Sequence, residues 1–226
     1  MDTEGKPIQA HGGWILAVDD NFYWYGEDKA TFPNEHRDNF LRIRCYQSQD
    51  LVSWTDKGRV IANGTSLTES NMSSFEIVER PRVLYCKKTE SFVMWFHVDD
   101  SHYQTASIGV AISNVPEGPF MPVYVMRPNG MESRDFTLFE DATGKAYLVY
   151  SSEANTTLHI TRLTSDFLNV ESDFSRILID QMRESPCIFF DYGQYYAITS
   201  GCTGWRPNAA LFATAQELEG PWRIQD

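Results

Sequence analysis

Apolar and polar positions alternate along most of the chain in short runs, separated by clusters of Gly, Pro, Asn, Asp and Ser. A period of two is the signature of half-buried β-strands, and no long helical pattern competes with it. The runs fall into four groups. The first holds Trp14-Ile15-Leu16-Ala17-Val18, a turn at Asp19-Asp20-Asn21, then Phe22-Tyr23-Trp24-Tyr25-Gly26-Glu27 and Leu41-Arg42-Ile43-Arg44-Cys45-Tyr46, with an outermost strand and its turn read at Asp50-Leu51-Val52-Ser53-Trp54-Thr55. Residues 28–39 read as a polar loop, and residues 63–74, rich in Ser, Thr and Asn, as a linker. The second group runs from Glu79 through residues 92–98 and 106–112 and closes on Gly118-Pro119-Phe120. The third runs from Asp135 through 146–151 and 157–160 and closes near Asp166-Phe167-Leu168; the fourth runs from Glu184 through 195–200 and 209–213 and closes on Gly220-Pro221-Trp222.

Three groups open alike. In Glu79-Arg80-Pro81-Arg82, Ser133-Arg134-Asp135 and Arg183-Glu184-Ser185-Pro186, a carboxylate and an arginine stand side by side before an apolar strand. The spacing from Glu79 to Asp135 to Glu184 is roughly 50 residues, the period of a four-stranded propeller blade. Equivalent positions of successive blades converge on the axis, so the repeat predicts three acids at one mouth of a central channel. Each arginine, projecting to the opposite side of its strand from the acid, is expected to brace a neighbouring blade. Trp24 and Trp95 are expected to pack between blades, and the end of the fourth blade to expose an apolar face.

Composition narrows the partners. With 226 residues, 42% of them hydrophobic and 14% aromatic, the chain reads as one all-β domain with a substantial core. A formal charge of −12 argues against nucleic acid and anionic membranes, since both need Lys and Arg in excess. No run approaches the length of a membrane span, and Met1 to Lys6 hold no apolar core of a signal peptide. Sequons at Asn63, Asn71 and Asn155 permit glycosylation in a secreted parent. Cys45, Cys86, Cys187 and Cys202 lack zinc-site spacing, and buried free thiols are favoured over a Cys187–Cys202 bridge. His11, His97, His102 and His159 show no metal-ligand spacing, so core or channel-lining hydrogen bonds are expected of them, with no metal and no cofactor. Glu153 reads equally as a site residue or a loop carboxylate in solvent.

The motifs Gln9-Ala10-His11-Gly12-Gly13, Trp24-Tyr25-Gly26-Glu27, Val78-Glu79-Arg80-Pro81, Ser133-Arg134-Asp135, Tyr150-Ser151-Ser152-Glu153, Arg183-Glu184 and Ser200-Gly201-Cys202-Thr203-Gly204-Trp205 together resemble glycoside hydrolase family 43, and most of all its exo-β-1,3-galactanase (galactan 1,3-β-galactosidase) branch. The resemblance implies a five-bladed β-propeller, with residues 1–226 as a single catalytic domain of about four blades that lacks the C-terminal fifth. It also implies inverting, exo-acting release of galactose from β-1,3-galactan, the backbone of arabinogalactan. By that likeness Glu184 corresponds to the general acid, Asp135 to the carboxylate that orients and tunes it, and Glu79 to a group lining the sugar subsite. Glu27, Tyr103 and Thr203 match sugar-contacting positions. Trp205 is added as an apolar wall for a pyranose ring. Most of the family carries an aspartate base where this chain has His11, so the base stays unassigned and His11 is kept as a substrate-site residue.

An inverting glycosidase needs a protonated carboxyl beside the leaving oxygen and a second group that activates water across the sugar. Asp135 and Glu79 near a partly buried Glu184 would raise its pKa toward working pH. Two other readings stand beside this one: an arabinofuranosidase or xylosidase of the same family, and a carbohydrate-binding, catalytically impaired propeller fragment. The expected partner in each case is an oligo- or polysaccharide.

Overall fold

The computed structural model describes residues 1–30, 43–61, 77–204 and 206–225. The loop read at residues 28–39 and the linker read at 63–74 therefore fall wholly or mostly outside the described residues. Among the described residues, sixteen strands form four antiparallel four-stranded meanders, the blades of an all-β propeller. The first blade is β1 (His11–Val18), β2 (Asn21–Glu27), β3 (Ile43–Ser48) and β4 (Thr55–Arg59); the second is β5 (Ile77–Cys86), β6 (Ser91–Asp99), β7 (Ser107–Ser113) and β8 (Met121–Met126). The third is β9 (Phe136–Glu140), β10 (Ala146–Ser152), β11 (Thr157–Leu163) and β12 (Val170–Ile177); the fourth is β13 (Arg183–Asp191), β14 (Gln194–Gly201), β15 (Leu211–Ala215) and β16 (Arg223–Gln225). Among the described residues no helix is long and apolar enough to cross a membrane.

The chain divides into two compact units, Met1–Met126 and Arg127–Asp226, each of two blades. In the first, β1 packs beside β5, and the core lies between the blade faces: Tyr25, Ile43, Val83, Met94, Phe96 and Phe120 are buried together. Trp14 donates its indole N–H to the Val83 carbonyl at 2.8 Å, and the Tyr25 hydroxyl reaches the Pro116 carbonyl at 2.7 Å. In the second unit β9 packs beside β13, and Val149, Leu158, Ile160, Ile188, Ala197 and Ala213 form the core. Burying each large side chain contributes about 1.5–3 kcal/mol. The opposite face of the fourth blade carries Phe189, Tyr196 and Phe212 in a stack, with Ile198 beside them; Phe189, Ile198 and Phe212 are exposed, as expected of that blade.

The structure corrects the strand reading at the blade edges. Residues 50–53 are a turn, in which the Asp50 carboxylate accepts from the Val52 and Ser53 N–H groups, and the outermost strand follows at Thr55. The Gly-Pro-aromatic segments lead into β8 and β16 instead of ending their blades, and β12 follows Phe167. β16 is short and β12 largely polar, so their alternation carries little apolar signal, while the apolar β8 is interrupted by Pro122, a residue that argues against a strand. Trp24 packs edge-on against Trp54 within its own blade, its ring centroid 5.2 Å away, and Trp95 is fully buried in β6.

Gly26 sets how closely the segment leading into β1 approaches the blade. A Cβ added there would stand 2.3 Å from the Ala10 Cα, a backbone atom that cannot yield without moving the chain. Gly26→Ala is expected to lower unfolding free energy by about 3 kcal/mol in urea titrations. An unchanged midpoint would contradict this packing.

Candidate active site

In the first unit, β5 is interrupted by a bulge between Glu79 and Arg82, where Arg80 takes a left-handed φ of 51°. The Arg80 N–H donates to Glu27 Oε1 at 3.3 Å. Glu27 ends β2, is 5% exposed, and lies 2.9 Å from Lys29 Nζ through its other oxygen. Space for this carboxylate comes from Gly12, whose φ is +57° and whose missing Cβ would sit 2.6 Å from Glu27 Oε1. His11 stands opposite Glu27 in the β1–β2 register, exposed. The Arg82 guanidinium donates to the Gly12 and Gly13 carbonyls at 2.9 and 3.2 Å, tying the second blade to the first.

Tyr103 donates its hydroxyl to Glu79 Oε1 at 3.1 Å, and its ring stacks on His97 with centroids 6.2 Å apart. His97 Nε2 lies 3.0 Å from Asp99 Oδ2, both groups buried. Asp100 builds the intervening loop by accepting from the N–H groups of His102 and Thr105 and from the Thr105 hydroxyl. Burial pushes the Glu79 carboxyl up, and the Glu27 charge adds to it; His97 and the Tyr103 hydrogen bond pull the other way and are outweighed.

In the second unit the same backbone device recurs. β13 bulges between Glu184 and Cys187, and Ser185 takes φ 49°. Asp135, just before β9, receives both the Ser185 N–H, at 3.0 Å, and the Ser185 hydroxyl, at 2.9 Å, on Oδ2. Asp135 thus grips Glu184 through the next residue's backbone. The Asn155 amide donates to Glu184 Oε1 at 2.9 Å. The Cys202 thiol also donates to Glu184, and is pushed up to about 11 by burial first and then by that carboxylate's charge.

Other expected residues make contacts of a different kind. The Thr203 hydroxyl donates to the Arg206 carbonyl at 2.7 Å and accepts from Asn208 at 2.6 Å, inside its own loop. Trp205 lies outside the described residues. Glu153 is no solvated loop group: Arg176 binds it through two bonds of 2.6 Å and His159 through one of 2.8 Å, holding its carboxyl down to about 2. Arg183 ties strands of its own blade through Thr199 and Ala209, and Arg134 pairs with Glu132, so neither braces a neighbouring blade as expected; Arg82 makes such a reach. All four cysteines are free; Cys45 and Cys86 are buried, but Cys187 is exposed and Cys202 half-buried. No group of three or more His, Cys, Asp or Glu among the described residues is arranged to hold a metal ion.

Sequence reasoning missed Ser185, Asn155 and Cys202 as partners of the acid. The repeat of Glu79-Arg80-Pro81 in Glu184-Ser185-Pro186 is the signal that pointed to Ser185. Asn155 was visible only as a sequon, and Cys202 as a thiol within the Ser200–Trp205 motif.

Because Glu79 is raised, its ionisation opposes folding: the carboxyl costs no stability below its unfolded value near 4.5 and destabilises as pH rises through its higher folded value. Glu79→Gln is therefore expected to raise the melting temperature at pH 7, with the gain shrinking to nothing near pH 4. A gain that grows toward acid pH would reverse the assignment.

A family model described as glycosyl hydrolases family 43 matches residues 7–226. Among solved structures, a family-43 β-1,3-galactosidase with galactodeoxynojirimycin is 34% identical with a TM-score of 0.90, covering 99% of this chain and 78% of that one. An exo-β-1,3-galactanase from Phanerochaete chrysosporium with β-1,3-galactotriose is 38% identical with a TM-score of 0.87, covering 100% of this chain and 51% of that one. An exo-β-1,3-galactanase from Clostridium thermocellum is 35% identical, TM-score 0.87, with 100% of this chain and 50% of that one covered. This chain thus spans about half the length of the two galactanases. A comparison with curated proteins found no match.

Proposed function

The chain belongs to glycosyl hydrolases family 43, and from that premise we propose that residues 1–226 form one catalytic propeller domain releasing galactose from the non-reducing end of β-1,3-galactan with inversion. The observation that carries the reading is the Glu184 carboxyl, half-buried on a bulge anchored by Asp135 and given a fixed donor by Asn155. A general acid must be held in one geometry before the sugar arrives. The galactan assignment is supported by likeness at 34–38% identity to β-1,3-galactosidase and exo-β-1,3-galactanase structures.

In this reading Glu184 gives its proton to the glycosidic oxygen as the bond from that oxygen to the anomeric carbon breaks. Water adds to the opposite face of the ring and loses a proton to a base not assigned to any residue of this chain. Asp135 keeps Glu184 in place. Glu79, Glu27 and Tyr103 offer carboxylates and a hydroxyl to the sugar's hydroxyl groups. Thr203, Trp205 and His11 complete the proposed sugar-binding set.

Incubation with β-1,3-galactobiose, followed by proton NMR, tests this directly. The expected first product is α-galactose, and Glu184→Gln should lower kcat by about 10³-fold. Initial appearance of β-galactose would contradict inversion, and binding without turnover in both proteins would favour an impaired carbohydrate-binding propeller.

A further inference from the structure

The hairpin joining β10 to β11 is built unlike an ordinary turn. Glu153, Ala154 and Asn155 all have left-handed φ values, of 53°, 55° and 65°. Non-glycine residues enter that region at a cost, and three in succession persist only where the surroundings dictate it. Here they do. Arg176 grips both oxygens of Glu153, and His159 donates to Glu153 through Nε2 while its Nδ1 faces the Tyr150 hydroxyl at 3.3 Å. Phe174 stacks on the His159 ring with centroids 4.8 Å apart, and Ala154 N–H donates to Glu132.

The clamped hairpin reaches into the next blade of the same unit. The Asn155 carbonyl accepts from the Arg183 N–H at 3.1 Å, the Thr156 carbonyl from the Gln181 N–H at 3.0 Å, and the Ser151 hydroxyl donates to the Arg183 carbonyl at 2.9 Å. Backbone on both sides of Arg183 is therefore fixed before the chain arrives at Glu184. The Asn155 side chain then donates to Glu184 Oε1. An amide N–H can only donate, and in a protonated carboxyl the carbonyl oxygen is the better acceptor.

We propose that Asn155 is a positioning residue for the general acid, held on target by the Glu153–His159–Arg176 clamp, and that it confines the transferable proton of Glu184 to Oε2. The proposal rests on the reading of Glu184 as the acid. It assigns a purpose to a cluster that touches no proposed sugar-binding residue. Among the described residues, the groups around Glu184 include the Cys202 thiol, Arg183, whose guanidinium donates to Thr199 and Ala209, and the Asp135 carboxylate, which accepts from Ser185. The clamp is expected to keep its charge state throughout the working range. Burial lowers the His159 imidazole, and Glu153 gives up its charge only near pH 2.

Two readouts on the full chain separate this proposal from a failure of the hydrolase reading. The first is a ¹³C titration of the Glu184 carboxyl without substrate. Removing a donor that favours the carboxylate should raise its pKa by about one unit in Asn155→Ala. Arg176→Ala, which leaves Asn155 in place but unclamped, should move it in the same direction by less, and it serves if Asn155→Ala does not fold. Superimposable titrations in wild type and variants overturn the proposal, whether or not the protein hydrolyses anything. The second readout compares leaving groups. Asn155→Ala should lose about 10²-fold in kcat on β-1,3-galactobiose, with little change in KM, and less than about 3-fold on 2,4-dinitrophenyl β-galactoside, whose departure needs no proton. Equal losses on both substrates would make Asn155 merely structural. Absence of turnover by wild type on either would sink the hydrolase reading and leave the titration to decide.

Discussion

Both units depend on one kind of contact: a carboxylate from one blade accepts the N–H of the residue that follows an acid at the start of the next. Glu27 receives Arg80, next after Glu79, and Asp135 receives Ser185, next after Glu184. The donor residues, Arg80 and Ser185, have nearly the same left-handed φ, 51° and 49°, and a proline follows each. Holding a β-carbon in that region costs on the order of 1–2 kcal/mol, and a hydrogen bond to a charged acceptor contributes about 1.5–3 kcal/mol. The contact can therefore offset the strain it sits beside. Proline contributes by lacking the N–H that the bulge would otherwise orphan. The bulge re-aims the acid relative to the regular alternation of its strand.

The shared contact leaves the two acids in different surroundings. Glu79 is desolvated beside a second carboxylate, with a tyrosine hydroxyl as its donor, so its environment favours the neutral form. Glu184 instead has an amide donor from a rigid hairpin and a thiol donor from the segment after β14. Each set of donors is backed by a buried imidazole paired with a carboxylate, His97 with Asp99 and His159 with Glu153. Both stiffen the backbone that presents the donor, which is how a propeller loop can act with the precision of a strand.

Much of this was legible in the chain. Alternation and turn residues are local, so blade number, the inner strands and the spacing of Glu79, Asp135 and Glu184 could be read without coordinates. The outer strands could not: β12 carries Glu171, Ser172 and Asp173 in succession, and packing, not pattern, makes it a strand. The left-handed bulges at Arg80 and Ser185 were hidden because a residue before proline ordinarily favours extended backbone. Asn155 was hidden for a different reason. It sits at a hairpin tip, where periodicity says nothing about which way a side chain reaches, and the hairpin is held by groups distant in sequence, Arg176 of β12 among them.

The central claim is that Asp135 serves Glu184 through Ser185, and a double-mutant cycle tests it most directly. Values of kcat/KM on β-1,3-galactobiose would be measured for wild type, Asp135→Ala, Ser185→Ala and the double variant. If the carboxylate acts through that residue, the double variant should lose no more than Asp135→Ala alone. Because Ser185→Ala removes the hydroxyl and keeps the N–H, a loss in Ser185→Ala that simply multiplies with the loss in Asp135→Ala would show that Asp135 works on the reaction by a route independent of the Ser185 hydroxyl.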